Sequence, residues 1–269
     1  MKKLLLIGGT GFLGKSFLSY LNNSNLIRKK LSEIIILSRR KKKIYSKIKI
    51  SFISKNIVNL KSIPVTDYII YAVNSKNNEE NIEGVLNFKN LLNEKHKKTK
   101  ILFTSSGAVY GKIDKIKKIK ESDLVSIQNV QKFKGYKRKY AISKIKMERE
   151  FKILSKKGFN VSVARLFSFI GNRILKNKNF AITNLISQAK NKNIKVIKLS
   201  DTKDVYRGYM ESNELIKWLL KILMSSNKNF NIYNVGSDEA ITIENLAKLI
   251  GKKFNKKIFK LKRKNIKDV

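Results

Sequence analysis

The sequence predicts an α/β fold, a doubly wound parallel sheet followed by a small C-terminal lobe. Three observations carry that reading. Six short apolar runs alternate with helix-like segments up to about residue 167. The first run passes straight into a cluster of glycines that precedes a helix. Beyond residue 167 the alternation gives way to a different rhythm of helices and short strands.

The runs are Leu4–Ile7, Ile34–Leu37, Ile50–Ile53, Tyr68–Val73, Ile101–Thr104 and Val161–Leu166. Most are rich in β-branched or aromatic side chains. They are continuously apolar rather than alternating, as strands covered on both faces must be. Between them, Lys15–Asn22, Ile82–Asn93 and Tyr140–Lys156 have helical periodicity. Strand–helix alternation at this spacing predicts βαβ crossovers and a parallel sheet. Downstream, Phe180–Lys190, Glu211–Met224 and Ile243–Phe254 read as helices, and Ile194–Leu199 and Asn231–Val235 as strands. Lys256–Val269 is basic and weakly patterned, an edge strand or a loose tail. The chain divides into a domain over 1–167 and a lobe over 168–269, with segments near 203–236 returning to the first domain.

Composition removes several chemistries. With 269 residues, 42% of them hydrophobic, the chain can bury one large core and a lobe. It has no cysteine, so disulfides, thiol catalysis and thiolate-bound metals are excluded. A reducing, cytoplasmic setting fits. His96 is the single histidine, which rules out a His-rich metal centre and a Ser-His-Asp triad; no metal is expected. It follows a predicted helix in a lysine-rich stretch and is expected to be solvated. No stretch approaches the ~18 apolar residues that span a bilayer. The apolar start after Lys2 and Lys3 resembles a signal peptide, but Gly8, Gly9, Gly11 and Gly14 interrupt it.

The net charge is +41, from 60 basic and 19 acidic side chains. Such a field attracts nucleic acid, anionic membranes and acidic small molecules. The lysines are scattered over the whole length, however, without the interleaved aromatics of single-strand binders. Lys, Asn and Ile are abundant together, as a strongly A/T-biased genome would write them. We read the charge as compositional, with no specific nucleic-acid partner, and as an aid to an anionic substrate.

The glycine cluster reads Gly8-Gly9-Thr10-Gly11-Phe12-Leu13-Gly14, either G-x-G-x-x-G from Gly9 or G-x-x-G-x-x-G from Gly8. Glycines between a buried strand and a helix permit a tight turn and let backbone N–H groups approach a pyrophosphate at the helix N-terminus. Gly8, Gly11, Phe12, Leu13 and Gly14 are therefore candidate cofactor-binding residues, with Ala72 in the fourth run. The second run ends Leu37-Ser38-Arg39-Arg40, with no acid to hold ribose hydroxyls. Arg39 and Arg40 are candidates for a 2′-phosphate, which favours NADP over NAD.

Tyr140 and Lys144 stand four apart, one turn on one helical face. A free Tyr titrates near ~10, and a neighbouring ammonium and an oxidised nicotinamide are expected to lower that value. Ser106 lies just past the fifth run, where a strand-end hydroxyl faces the ligand crevice of an α/β sheet and can donate to a charged oxygen. Glycine loop, strand-end Ser and Tyr-x-x-x-Lys occur in that order, each on the element such chemistry needs.

With these residues assembled, the chain resembles the extended short-chain dehydrogenase/reductases, the NAD-dependent epimerase/dehydratase family. The resemblance rests on Gly8, Gly11 and Gly14, on Phe103–Gly111, and on Tyr140 with Lys144. It continues through Val163–Gly171, Arg207-Gly208-Tyr209 and Tyr233–Ser237. It implies a Rossmann-type domain binding NADP or NAD, a substrate-binding lobe, and a nucleotide-sugar substrate. By position, Ser106 would polarise the sugar oxygen, Tyr140 would be the acid/base, and Lys144 would hold the ribose and tune Tyr140. Ser106, Ser168, Asn184 and Arg207 would contact substrate, Arg207 through its diphosphate. The activity implied is a 4-epimerase or a 4-ketoreductase. A 4,6-dehydratase-like member, or a non-catalytic NADP-binding protein with RNA affinity, is the alternative. A homodimer is common among such relatives. Departures exist: Gly107-Ala108 replace the Asp-Glu pair of the dehydratases, Ser168 and Asn172 replace an Asn and a Pro, and Asn56 replaces an acid.

Overall fold

The computed structural model describes residues 1–25, 29–112, 118–171, 180–199 and 205–260. Seven strands make the main sheet: β1 (Lys2–Ile7), β2 (Leu31–Ser38), β3 (Lys49–Ser54), β4 (Tyr68–Tyr71), β5 (Lys100–Ser106), β6 (Asn160–Leu166) and β7 (Asn231–Val235). Their order is β7-β6-β5-β4-β1-β2-β3, and every pairing is parallel. The predicted doubly wound α/β fold is therefore present. Chain direction across the sheet reverses between β1 and β4, where such sheets open a ligand crevice at their carboxyl ends. β4 stops at Tyr71 rather than at the predicted Val73, because its partner β1 ends at Ile7 and only Ala72 N–H still bonds to Ile7 O, at 2.9 Å.

Among the described residues, the helices with this sheet include α1 (Phe12–Asn23), α2 (Asn78–Leu91), α3 (Ile127–Gln131), α4 (Gly135–Lys156) and α5 (Ser212–Ser225). Strand side chains alternate between faces. On one face Leu5, Ile7, Ile69, Tyr71, Ile101, Phe103, Val161 and Val163 pack with Phe88 of α2 and Phe151 of α4. Phe103 and Phe151 stack there at 4.4 Å between centroids. α1 and α5 pack together and α5 lies against β5 and β6. The Asn77 side chain accepts from the Glu79 and Glu80 N–H groups to cap α2, and those two acids sit at the positive end of its dipole.

Two expectations need correction here. Tyr140 does not open its helix; α4 begins at Gly135. Its first turn and a half is basic and exposed, so it lacks the apolar periodicity from which the start was read. His96 is not solvated but 1% exposed. Its Nε2 pairs with Ile63 O at 3.2 Å and its Nδ1 with Asn93 at 3.0 Å, which locks the chain after α2 onto the loop before β4.

By contacts the chain forms two compact units, Met1–Phe167 with Ser212–Val235, and Ser168–Glu211 with Gly236–Val269. The second unit has its own core of Ile182, Leu185, Ala189, Ile197, Leu199, Ile243, Leu246 and Ala247. Its helices are Ala181–Lys190 and Ile243–Lys253, and Val196–Leu199 pairs in parallel with Lys257–Lys260. The rest of the basic C-terminal stretch, Asn172 and residues 203–204 lie outside the described residues.

Candidate active site

The glycine turn sits where β1 leaves the sheet. Gly8 has φ +85°, and its N–H bonds to Leu37 O of β2 at 2.9 Å. A Cβ there would come within 2.7 Å of Ala72 O, so the turn is pressed against the end of β4. Gly14 is more confined: a Cβ would lie 2.2 Å from Gly9 O, so α1 and the loop could not meet. Gly11 differs. A Cβ would meet only Gly8 O, at 3.2 Å, and otherwise open space. Gly11 is also the N-cap of α1, and no side chain caps the helix. A helix start without a side-chain cap, with no Cβ at Gly11 in the way, is a cradle for an anion. These residues fit the pyrophosphate of a dinucleotide.

Arg39 and Arg40 are exposed at the end of β2. Arg39 Nη1 lies 3.5 Å from Glu80 Oε1. Glu80 also accepts from Asn56 Nδ2 at 2.8 Å and from Ser75 Oγ. Those bonds hold its carboxyl below the usual carboxylate range. The end of β2 itself carries no acid, but folding brings Glu80 to Arg39 from 41 residues away. Local sequence gave no sign of that.

Two strands along from β1, β5 presents Ser106 at its carboxyl end. Ser106 Oγ accepts from Ala108 N–H at 3.2 Å, and Ser106 acts on the nearby Tyr140 phenol, pulling its pKa down. One turn on, Lys144 is 2% exposed; its Nζ donates to Thr104 O at 3.1 Å and stands 5.8 Å from the Tyr140 ring centroid. Ser106, Tyr140 and Lys144 thus lie together at the carboxyl end of β5. Their electrostatics differ from expectation. Burial pushes the Tyr140 pKa up, against the opposing pull of Ser106, with Tyr136 adding to the rise. Burial brings Lys144 down to about 8, against the charge of Glu148. Desolvation outweighs the influence of Ser106, so the site favours the neutral phenol over the phenolate.

Behind these residues lies a polar layer that belongs to none of the sequence motifs. Glu148 pairs with Arg165, and Ser105 donates to Glu148. Two signals pointed to it. Glu148 continues the 140–144 spacing by another turn, and Arg165 interrupts an apolar strand, where a buried charge demands a partner. The remaining candidates fall in the second unit. Ser168 O accepts from Met210 N–H at 3.1 Å. Asn184 Oδ1 accepts from Gln188 at 2.7 Å. Arg207 is exposed, with Nη1 donating to Tyr206 O at 2.8 Å. Among the described residues, no group of His, Asp or Glu could hold a metal, and no helix is long and apolar enough to cross a membrane.

The sequence matches the family model for the NAD dependent epimerase/dehydratase family over residues 4–236. The chain belongs to that family. No curated protein matches the sequence. Among solved structures, a dTDP-glucose 4,6-dehydratase from Bacillus anthracis in complex with NAD is 17% identical, with a TM-score of 0.78 over 97% of this chain and 84% of that one. A UDP-N-acetylglucosamine 4-epimerase from Bacillus cereus is 19% identical, with a TM-score of 0.71 over 97% and 85%. RMD from Pseudomonas aeruginosa, complexed with NADPH, is 20% identical, with a TM-score of 0.73 over 99% and 88%. At these identities the likeness is one of fold. As a member of the epimerase/dehydratase family, the chain carries its glycine turn and its Ser-Tyr-Lys cluster at the carboxyl edge of one sheet.

Proposed function

We propose that the protein is an NAD(P)-dependent nucleotide-sugar 4-epimerase or 4-ketoreductase, with hydride transfer at a sugar carbon and Tyr140 as the acid/base. One observation carries this reading: Ser106 at its strand end and Tyr140 with Lys144 buried a turn away, Nζ 5.8 Å from the phenol ring centroid, on the same sheet edge as an uncapped glycine cradle. The structural relatives add support, since they include proteins named for nucleotide sugars and bound to NAD or NADPH.

The bound nicotinamide supplies or accepts the hydride. The protein handles the proton and the charge. Tyr140 gives its phenolic proton to the sugar oxygen or takes it back, while Ser106 hydrogen-bonds to that oxygen and stabilises the charge it develops. One Lys144 N–H is committed to Thr104 O; the ammonium serves the cofactor ribose with its other donors and favours the phenolate when Tyr140 gives up its proton. Gly8, Gly11, Phe12, Leu13, Gly14 and Ala72 form the cofactor cradle. Ser168, Asn184 and Arg207 are assigned to the substrate.

Dehydration is disfavoured by more than a missing carboxylate. A Cβ at Gly107 would come within 2.8 Å of the Phe167 ring, so the position that would carry an acid has no room for a side chain. The raised Tyr140 pKa keeps the phenol protonated, the form in which it can donate a proton to a sugar oxygen. Arg39 and Arg40 favour NADP, although Glu80 competes for Arg39.

The test is a screen of UDP-, dTDP-, GDP- and CDP-sugars with oxidised and reduced cofactors, following nicotinamide absorbance and the stereochemistry of the product. Stoichiometric NADPH consumption identifies the reductase, and turnover with retained NAD the epimerase. Tyr140→Phe is expected to cut kcat by roughly 10³-fold or more while leaving dinucleotide affinity within a few-fold. Unchanged turnover in that variant removes Tyr140 from the chemistry.

A further inference from the structure

One buried carboxylate beside the site has no part in the chemistry above. Glu148 is 8% exposed, one helical turn beyond Lys144. Its Oε1 accepts from Ser105 Oγ at 2.5 Å and from Arg165 Nε at 3.1 Å, and its Oε2 from Arg165 Nη2 at 2.8 Å. Arg165, 4% exposed, donates through Nη1 to the Tyr110 hydroxyl at 2.7 Å. That hydroxyl donates in turn to Asn234 Oδ1 at 2.9 Å. The chain of bonds links β5, α4, β6, the turn after Ser106 and β7.

Stability does not account for such a network. Desolvating two charges is costly, and apolar groups of similar volume often serve a core as well or better. Its placement is more telling. Ser105 precedes Ser106 on β5, and Thr104, whose carbonyl holds Lys144, precedes Ser105. Glu148 therefore grips the strand end between the two residues that engage Tyr140 and Lys144. A strand end and a helix face fixed together by a charge-assisted bond have one register, whereas apolar contacts permit several.

The surroundings of Lys144 add an electrostatic argument. On its own helix it faces Tyr140 and Glu148; from β5 it meets Thr104 O and the Phe103 ring, with Nζ 5.1 Å from that centroid. β6 contributes Arg165, which is bound to Glu148. From α2 come the neutral Asn78, bonded to Ser143, and, farther along, the Lys89–Glu150 pair. Of these, the Glu148 charge opposes the downward pull of burial on Lys144.

We propose that Glu148 is a positioning residue, holding the Ser106 strand end and the Lys144 turn in one register and setting a negative charge against the Lys144 ammonium. The proposal rests on the active-site reading of Ser106, Tyr140 and Lys144.

The test uses the full chain. Lysines labelled with 13C at Cε are titrated by NMR without ligand, and the Lys144 signal is identified by its loss in Lys144→Met. In Glu148→Gln the Lys144 midpoint is expected to fall by about one pH unit, because the carboxylate is gone and the Arg165 charge stays. Ser105→Ala keeps the ion pair and therefore the fold. Its kcat on the nucleotide sugar found in the screen is expected to drop about ten-fold with KM within two-fold, and Ser105→Thr is expected to restore it. An unchanged Lys144 midpoint in Glu148→Gln overturns the proposal. Should that variant fail to fold, parental kcat in Ser105→Ala does so. Tyr140→Phe separates the two levels. If it is inactive while Ser105→Ala is normal, only the proposal fails; if it turns over normally, the active-site reading fails and the proposal with it.

Discussion

The glycine turn and the Ser-Tyr-Lys cluster stand at the carboxyl ends of strands in one sheet, yet they are built by opposite means. The turn works by leaving side chains out. Gly8, Gly9 and Gly14 let backbone meet backbone or neighbouring side chains where a Cβ would overlap them. The cluster works by burying polar side chains, each held by a hydrogen-bonding partner: Lys144 by the backbone Thr104 O, Ser105 by Glu148, Glu148 by Arg165. Defects in the first region are steric and nearly all-or-none. Defects in the second are electrostatic, graded and dependent on pH.

Substitutions within the turn break the comparison most sharply. Gly14→Ala must push backbone apart by about an ångström, so unfolding is expected with the loss of roughly 3 kcal/mol or more and no detectable dinucleotide binding. Gly11→Ala meets only Gly8 O. Thermal melting is expected to stay within a few degrees while dinucleotide affinity falls roughly ten-fold, about 1.4 kcal/mol, as measured by fluorescence titration. Equal loss of stability in both variants would mean that Gly11 serves the fold rather than the ligand.

In the second region, Arg165→Met leaves the Glu148 carboxylate buried without its partner and is expected to lower stability by about 3–5 kcal/mol in urea unfolding. Removing both charges in a Glu148→Leu/Arg165→Met double variant is expected to recover much of that loss. An equal loss in the double variant would assign the effect to packing.

Lys144 gives a smaller effect with a definite sign. Its folded pKa, about 8, lies below the ordinary lysine value of 10.5. Between those values the unfolded chain binds more protons, so this group's contribution makes stability rise with pH across that window and leaves it flat below about 8. Relative to the parent, Lys144→Met should therefore gain most at neutral pH and progressively less towards pH 10. A difference that does not change with pH would show that the ammonium is not desolvated.

The smallest effect lies between the regions. Tyr71, on β4, is fully buried and its hydroxyl has no hydrogen-bond partner among the described residues. Tyr71→Phe removes an unsatisfied polar atom and is expected to stabilise by up to about 1 kcal/mol without changing turnover. A loss of stability would reveal a bound water or other partner at that hydroxyl.

Much of this was legible in the sequence where function coincides with local pattern. Leu4–Ile7 followed by Gly8 to Gly14 announces a buried strand, a tight turn and a helix, because chain neighbours make each of those contacts. Tyr140 and Lys144 share a face by helical spacing alone. His96 misled for the reverse reason. Its lysine-rich flanks suggest solvent, while its burial depends on Ile63, which is 33 residues away. The start of α4 was hidden because Gly135 to Lys139 bury nothing, and apolar periodicity marks only turns that pack.

The sequence by itself therefore determined the parallel sheet, the glycine turn and the Ser-Tyr-Lys set, since short-range spacing and hydrophobic pattern suffice for each. Only the tertiary structure decided the rise in the phenol's pKa, the Glu80–Arg39 contact and the Glu148–Arg165 layer. Desolvation and ion pairing are properties of what surrounds a group in space. The residues that supply those surroundings here come from separate strands and helices, which no local spacing brings together.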